Sequence, residues 1–160
     1  MTDFARLSSN WIKWSTMIGI GGVSVSTGCE DCDIVFLSDD NSVHLRHNNG
    51  WWAVDTVSDR GRRYNNIASF SSYDLVEKFL IWRWASIARS AIGARQLGAE
   101  LHSQGPMPTV EFAKASRDHF VELRTHDGKA VVSEASATVF SHVMCMSVED
   151  IESLLTRDIE

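Results

Sequence analysis

Cys29-Glu30-Asp31-Cys32 is the first cluster in the chain whose residue types and spacing could do chemistry. A C-x-x-C pair serves zinc sites and thiol–disulfide centres. A zinc site needs about four ligands, and Cys145 with a histidine would have to complete this one. A redox centre needs the pair at a helix N-terminus beside cations, whereas the charges of Glu30 and Asp31 oppose a thiolate. With Cys145 the cysteines number three, a poor disulfide framework that fits a reducing cytosol. The pair is therefore expected to be structural, with no bound metal. The six histidines (His44, His47, His102, His119, His126 and His142) form no H-x-x-x-H pair. His44 and His47 are three apart in an extended segment, so they point to opposite faces.

Other catalytic signatures are missing. Gly19-Ile20-Gly21-Gly22 has no preceding strand and no Walker lysine, and reads as a helix stop. There is no G-x-S-x-G nucleophile turn. Asp39-Asp40 falls in a turn and Glu149-Asp150 at a helix N-terminus, where carboxylates stabilise local structure. The sequence predicts no catalytic residue and no cofactor.

Arginine is the more informative residue, with eleven copies against four lysines. Its planar fork binds carboxylates bidentately, which suits protein interfaces. Arg60, Arg62 and Arg63 share one loop. Arg89 and Arg95 flank a helix end, where they could equally answer the helix dipole. Gly93 and Gly98 bracket Arg95 and let the backbone there approach another surface closely. Two candidate contact patches result: Gly93-Ala94-Arg95-Gln96, and Arg60 with Arg62 and Arg63. Six tryptophans are many for 160 residues. Trp51 and Trp52 should send one ring to each face of a strand, and Trp82 and Trp84 stand about 200° apart on a helix. Core packing explains such residues; an exposed one beside arginines would suit an interface.

These residues must be held by a mixed set of elements. Phe4, Leu7, Trp11, Trp14 and Ile18 recur at helical spacing, with Thr2 or Asp3 as cap. Val23-Val25, Asp33–Leu37, Val43–His47 and Trp51–Val57 read as strands joined by polar turns, an antiparallel meander. Tyr64 to Phe70 leads into a long helix over about 72–92, with Ser71 and Asp74 as its capping pair. Val76, Phe79, Leu80, Arg83, Ile87 and Ala91 mark one side of that helix. An irregular stretch runs to Pro106 and Pro108. Val110 and Phe112 begin a strand, and His119–Arg124 and Ala130–Val132 form a hairpin. Thr138-Val139-Phe140 suggests a further strand. Ser147 and Asp150 cap a last helix, with Met146 and Ile151 as its staple. Strands grouped by hairpins with helices kept apart indicate an α+β fold: an antiparallel meander sheet packed by a long central helix, with N- and C-terminal helices. No repeat or linker interrupts it, so one domain is expected over residues 1–160.

Composition narrows the partners. Apolar residues make up 44% and charged residues 22%, an ordinary globular balance. A net charge of −6 disfavours nucleic acid and favours encounter with a basic protein surface. The N-terminal residues do not read as a secretory signal and no segment reads as a membrane span, so a cytoplasmic protein with no membrane partner is expected.

The stretch Leu37–His47, then Gly50-Trp51-Trp52-Ala53-Val54-Asp55, Tyr73–Trp84 and Arg89–Arg95, resembles the actinobacterial immunity family that includes the immunity factor for tuberculosis necrotizing toxin. The resemblance implies an inhibitor without turnover of its own, which binds a cognate NAD-glycohydrolase toxin and occludes its active site. Two other readings remain: a small enzyme or ligand-binding domain with an unrecognised pocket, and a zinc-binding adaptor built on Cys29, Cys32 and Cys145.

Overall fold

In the computed structural model, which describes residues 2–159, the first apolar stripe folds as α1 (Ala5–Met17). The Asp3 carboxylate accepts from the Ala5 N–H at 2.9 Å, so the expected acidic cap is present one residue before Phe4, the N-cap. Gly19 and Gly22, both at positive φ, then turn the chain into the sheet.

The meander is β1 (Ser24–Ser26), β2 (Ile34–Leu37), β3 (Asn41–Asn48), β4 (Trp51–Ser58) and β5 (Arg63–Phe70). Asn49 and Gly50 both take positive φ between β3 and β4, the requirement of a two-residue type I′ hairpin. β5 has no clear signal in the sequence, where Tyr64–Phe70 only leads into the long helix. The reason is a bulge: the β4–β5 register shifts between Val54 and Thr56, and Asn66 adopts positive φ (54°). A polar, bulged half-strand carries no clean alternation.

α2 (Tyr73–Ala91) follows, capped by Ser72, whose hydroxyl accepts from the Leu75 N–H. Ser71, expected as the cap, instead accepts from the Lys129 N–H at 2.7 Å and ties the helix start to a neighbouring strand. The predicted apolar side is also rotated. Val76, Phe79 and Leu80 are buried, but Arg83, Ile87 and Ala91 are exposed. Trp82 and Trp84, on opposite sides, are both buried because neighbours cover both flanks of α2.

The short helix α3 (Leu97–Ser103) occupies the stretch expected to be irregular. β6 (Glu111–Lys114), β7 (Phe120–Thr125) and β8 (Gly128–Ser133) form a second antiparallel group. Thr138-Val139-Phe140 lies inside a helix, α4 (Glu134–Val143), and not in a strand. Ala137, Phe140, Ser141 and Met144 bury one face at spacings of three and four, which overrides the β-branched pair. α5 (Val148–Leu155) is capped by Ser147, which accepts from the Asp150 N–H, as the sequence predicted.

All eight strands join one antiparallel sheet in the order β1-β2-β3-β4-β5-β8-β7-β6. The fold is α+β. Ile34, Phe36, Val43, Leu45, Trp52, Val54, Phe70, Leu123 and Val132 form one core with the buried residues of the helices. Trp11 and Trp84 meet over Phe36, with ring centroids 5.0–6.1 Å apart. Among the described residues no helix is long and apolar enough to cross a membrane.

Candidate partner-binding surface

Arg60 and Arg62 stand on the β4–β5 hairpin, which closes through Ser58 accepting from Gly61 N–H, with Gly61 at positive φ. Both are exposed. The Arg62 guanidinium lies over the Tyr64 ring, 5.1 Å from its centroid. Tyr64 is itself 45% exposed, so the pair presents a cation on an aromatic face to solvent.

Arg63 is differently employed. Its Nη2 donates to Asp55 Oδ2 at 2.9 Å and lies 3.2 Å from Asp31 Oδ2. Asp55 also accepts from Arg46 Nε and Nη2 at 2.7 and 3.1 Å, and from the Asn66 N–H at 2.7 Å. Its side chain is 1% exposed. Burial alone would raise this carboxyl, but the hydrogen bonds from Arg46, Asn66 and Arg63 outweigh it and hold the pKa at about 2. Arg63 is thus chiefly a brace of the sheet's outer face. Nothing in the sequence singled out Asp55; the only signal was a carboxylate embedded in the apolar strand Trp51–Val57.

The second patch follows α2. Gly93, at positive φ, reverses the chain, and Gly93, Arg95 and Gln96 are exposed while Ala94 is half-buried. Arg89, 1% exposed, holds this loop from beneath. Its guanidinium donates to the Arg95 carbonyl at 2.9 and 3.2 Å, to Leu155 O at 2.8 Å and to Arg157 O at 2.9 Å. One buried cation therefore caps the C-terminus of α5 and fixes the loop. Arg95 itself points outward, 3.3 Å from Glu100 and 3.8 Å from Asp158. Such exposed pairs are worth about 0–1 kcal/mol and exchange readily.

Between the patches runs an open groove that the sequence did not reveal. One part, about 610 Å³, is lined by Tyr64, Asn65, Arg83, Arg117 and Phe120 among others. The next, about 410 Å³, shares Phe79, Arg83 and Ser136 with it and reaches Ile87 and Gln96. The groove exists because β5 and β8 pair only at Ser69↔Val131 and Phe70↔Ala130. Beyond that seam the first half of β5 lacks a strand on that side, and Arg117 Nη1 donates to the Asn66 carbonyl instead. The Arg117 guanidinium also lies 4.0 Å from the Phe120 ring centroid. The structure thus sets Arg62, Arg83 and Arg117 with Tyr64, Phe120 and Ile87 on one exposed tract, and Gln96 at its far end. Arg60 and Arg95 do not line it.

The parts of the groove around Tyr64 and Gln96 carry no histidine, and the shallower cleft around Tyr73 and Glu77 carries none either. In that last cleft burial raises both the Tyr73 hydroxyl and the Glu77 carboxyl. Arg6, 3.9 Å from Glu77, partly offsets the carboxylate's cost.

A family model for immunity protein 61 matches residues 18–158. The chain belongs to the immunity protein 61 family. The resemblance read from its residues holds at the level of the family. Rv3902c from M. tuberculosis has a similar solved structure: TM-score 0.71 at 15% identity, covering 92% of this chain and 87% of that one. At that identity the likeness speaks for a shared fold. No curated protein matches the chain. The immunity protein 61 fold here supplies a sheet-and-helix frame, with the arginine-bearing hairpin and the Gly93–Gln96 loop at the two ends of one groove.

Proposed function

We propose that this protein is an inhibitor without turnover, which binds a cognate NAD-glycohydrolase toxin in the cytoplasm and occludes its active site. Membership of the immunity protein 61 family is the observation that carries this reading. The surface suits it. A glycine-ended loop and an arginine-tipped hairpin stand at the two ends of an aromatic-lined groove, and arginines beside aromatic rings are what interface hot spots concentrate. Arg60 is exposed and pairs with no carboxylate among the described residues, and Arg62 is stacked only on Tyr64. These two are freer to meet an acidic toxin cleft than Arg63, which Asp55 holds. Arg95 needs only to exchange its exposed partners.

The test is inhibition of NAD cleavage by the cognate toxin, titrated with purified protein. Stoichiometric inhibition is expected. Arg62→Glu and Arg95→Glu should each weaken it at least 10-fold, consistent with about 2–5 kcal/mol for a broken buried charge contact. Circular dichroism of both variants should match the parent. Full-strength inhibition by both would remove these patches from the interface, and turnover of NAD by the isolated protein would end the inhibitor reading.

A further inference from the structure

The sheet's outer face gathers four donor atoms that the sequence keeps apart. Cys29, Asp31, Cys32 and His44 each offer one ligand atom, and these atoms lie within 4.8 Å of one another. Three cysteines read as a poor disulfide framework, and here that expectation is corrected: Cys29 and Cys32 form a disulfide across a separation of three residues. Cys145, the third cysteine that a zinc site was expected to need, is exposed near Thr109 and takes no part. His44, on β3 opposite Asp55, replaces it.

Three of the donor–donor spacings are close to those around a tetrahedral ion. Zinc with Zn–S of about 2.3 Å and Zn–N of about 2.0 Å sets donor–donor edges of about 3.3–3.8 Å. His44 Nδ1 lies 3.7 Å from Cys29 Sγ and 3.8 Å from Cys32 Sγ, and Asp31 Oδ1 lies 3.2 Å from Cys29 Sγ. The two sulfurs, now bonded to each other, must part, and any edge near the 4.8 Å limit must shorten as the Asp31 side chain turns. Outer partners are also in place. Ser42 Oγ is 3.0 Å from His44 Nε2 and would fix the tautomer that turns the Nδ1 lone pair to the sulfurs. Arg63 holds Asp31 by Oδ2 and leaves Oδ1 toward the cysteines. Two thiolates and a carboxylate exceed a dication by one negative charge, and Arg63 offsets it.

We propose that, with the disulfide reduced, this protein binds one zinc-class divalent ion through Cys29 Sγ, Cys32 Sγ, His44 Nδ1 and Asp31 Oδ1. The proposal is independent of the toxin reading. The test uses the full chain reduced with a phosphine, which takes oxygen from water to become phosphine oxide and leaves two thiols. Each thiol gives its proton to buffer on binding metal. Cobalt(II) is then titrated and followed by its thiolate charge-transfer absorption, with zinc as competitor. One cobalt per chain, displaced by one zinc, is expected; the oxidised protein should bind none. Cys32→Ser should abolish the band. His44→Ala and the surface variant Asp31→Asn should weaken binding at least 10-fold, and Cys145→Ser should leave it unchanged. Absence of the band from reduced, folded protein would overturn the proposal. So would undiminished binding by both Asp31→Asn and His44→Ala, or loss of binding in Cys145→Ser.

Discussion

Three arginines within four residues have different employments, and their neighbours decide which. Arg60 and Arg62 face solvent on a hairpin tip. Arg63 is drawn inward because Asp55, on the adjacent strand, is buried and needs donors. That carboxylate is the most consequential single polar group on the sheet's outer face. Its pKa, about 2, is below the unfolded value of 3.8, so the unfolded chain binds more protons between those pH values. The stabilisation is therefore complete above about pH 4 and is lost as the pH falls toward 2; the shift corresponds to about 2 kcal/mol. Asp55→Asn should lower unfolding stability by about that amount at pH 7 and flatten the acid limb of the stability profile between pH 4 and 2, measured by urea unfolding. An unchanged acid limb would mean that other carboxylates govern acid unfolding.

At the scale of elements, the junction between α1 and the sheet depends on glycine. The Gly21 carbonyl accepts from the Asp39 N–H at 2.9 Å, and a Cβ on Gly21 would stand 2.7 Å from Asp39 Oδ2. A Cβ on Gly22 would collide with the same carboxylate, and Gly22 has φ of +67° besides. Gly22→Ala should cost about 1–3 kcal/mol, chiefly through its positive φ, since the exposed Asp39 side chain can swing away; the denaturant midpoint reads it. α2 makes a different point. Its start and length could be read from polar and apolar spacing, but its phase could not. Arg83 and Ile87 share a helical side with Phe79, yet only the upper turns of that side are covered. The uncovered turns became part of the groove.

Over the whole molecule, two antiparallel groups of strands are joined by the short β5–β8 seam. Behind it Phe70, Phe79 and Phe140 pack with ring centroids 5.0–5.6 Å apart, and these come from β5, α2 and α4. This triangle is an apolar link across the seam. Phe140→Ala should destabilise the protein by about 3–5 kcal/mol, the usual range for emptying a buried aromatic site. Calorimetry of the parent should show a single cooperative transition, since one core serves both groups. Two resolved transitions would mean that the groups fold separately.

The sequence by itself determined the elements whose signals are local. Helical spacing placed α1 and α5, Ser147 marked a cap, polar turns marked the meander, and grouped hairpins gave the α+β class. It also exposed the arginines of both patches. Only the tertiary structure decided what those residues meet. β5 was hidden by its bulge, α4 by two β-branched residues, and the pairing of Arg63 with Asp55 by their separate strands. The groove, and the approach of His44 to the Cys29–Cys32 loop, follow from strand register and from a seam two residue pairs long. Register is a relation between distant segments, whereas spacing and capping act within a few residues of one segment.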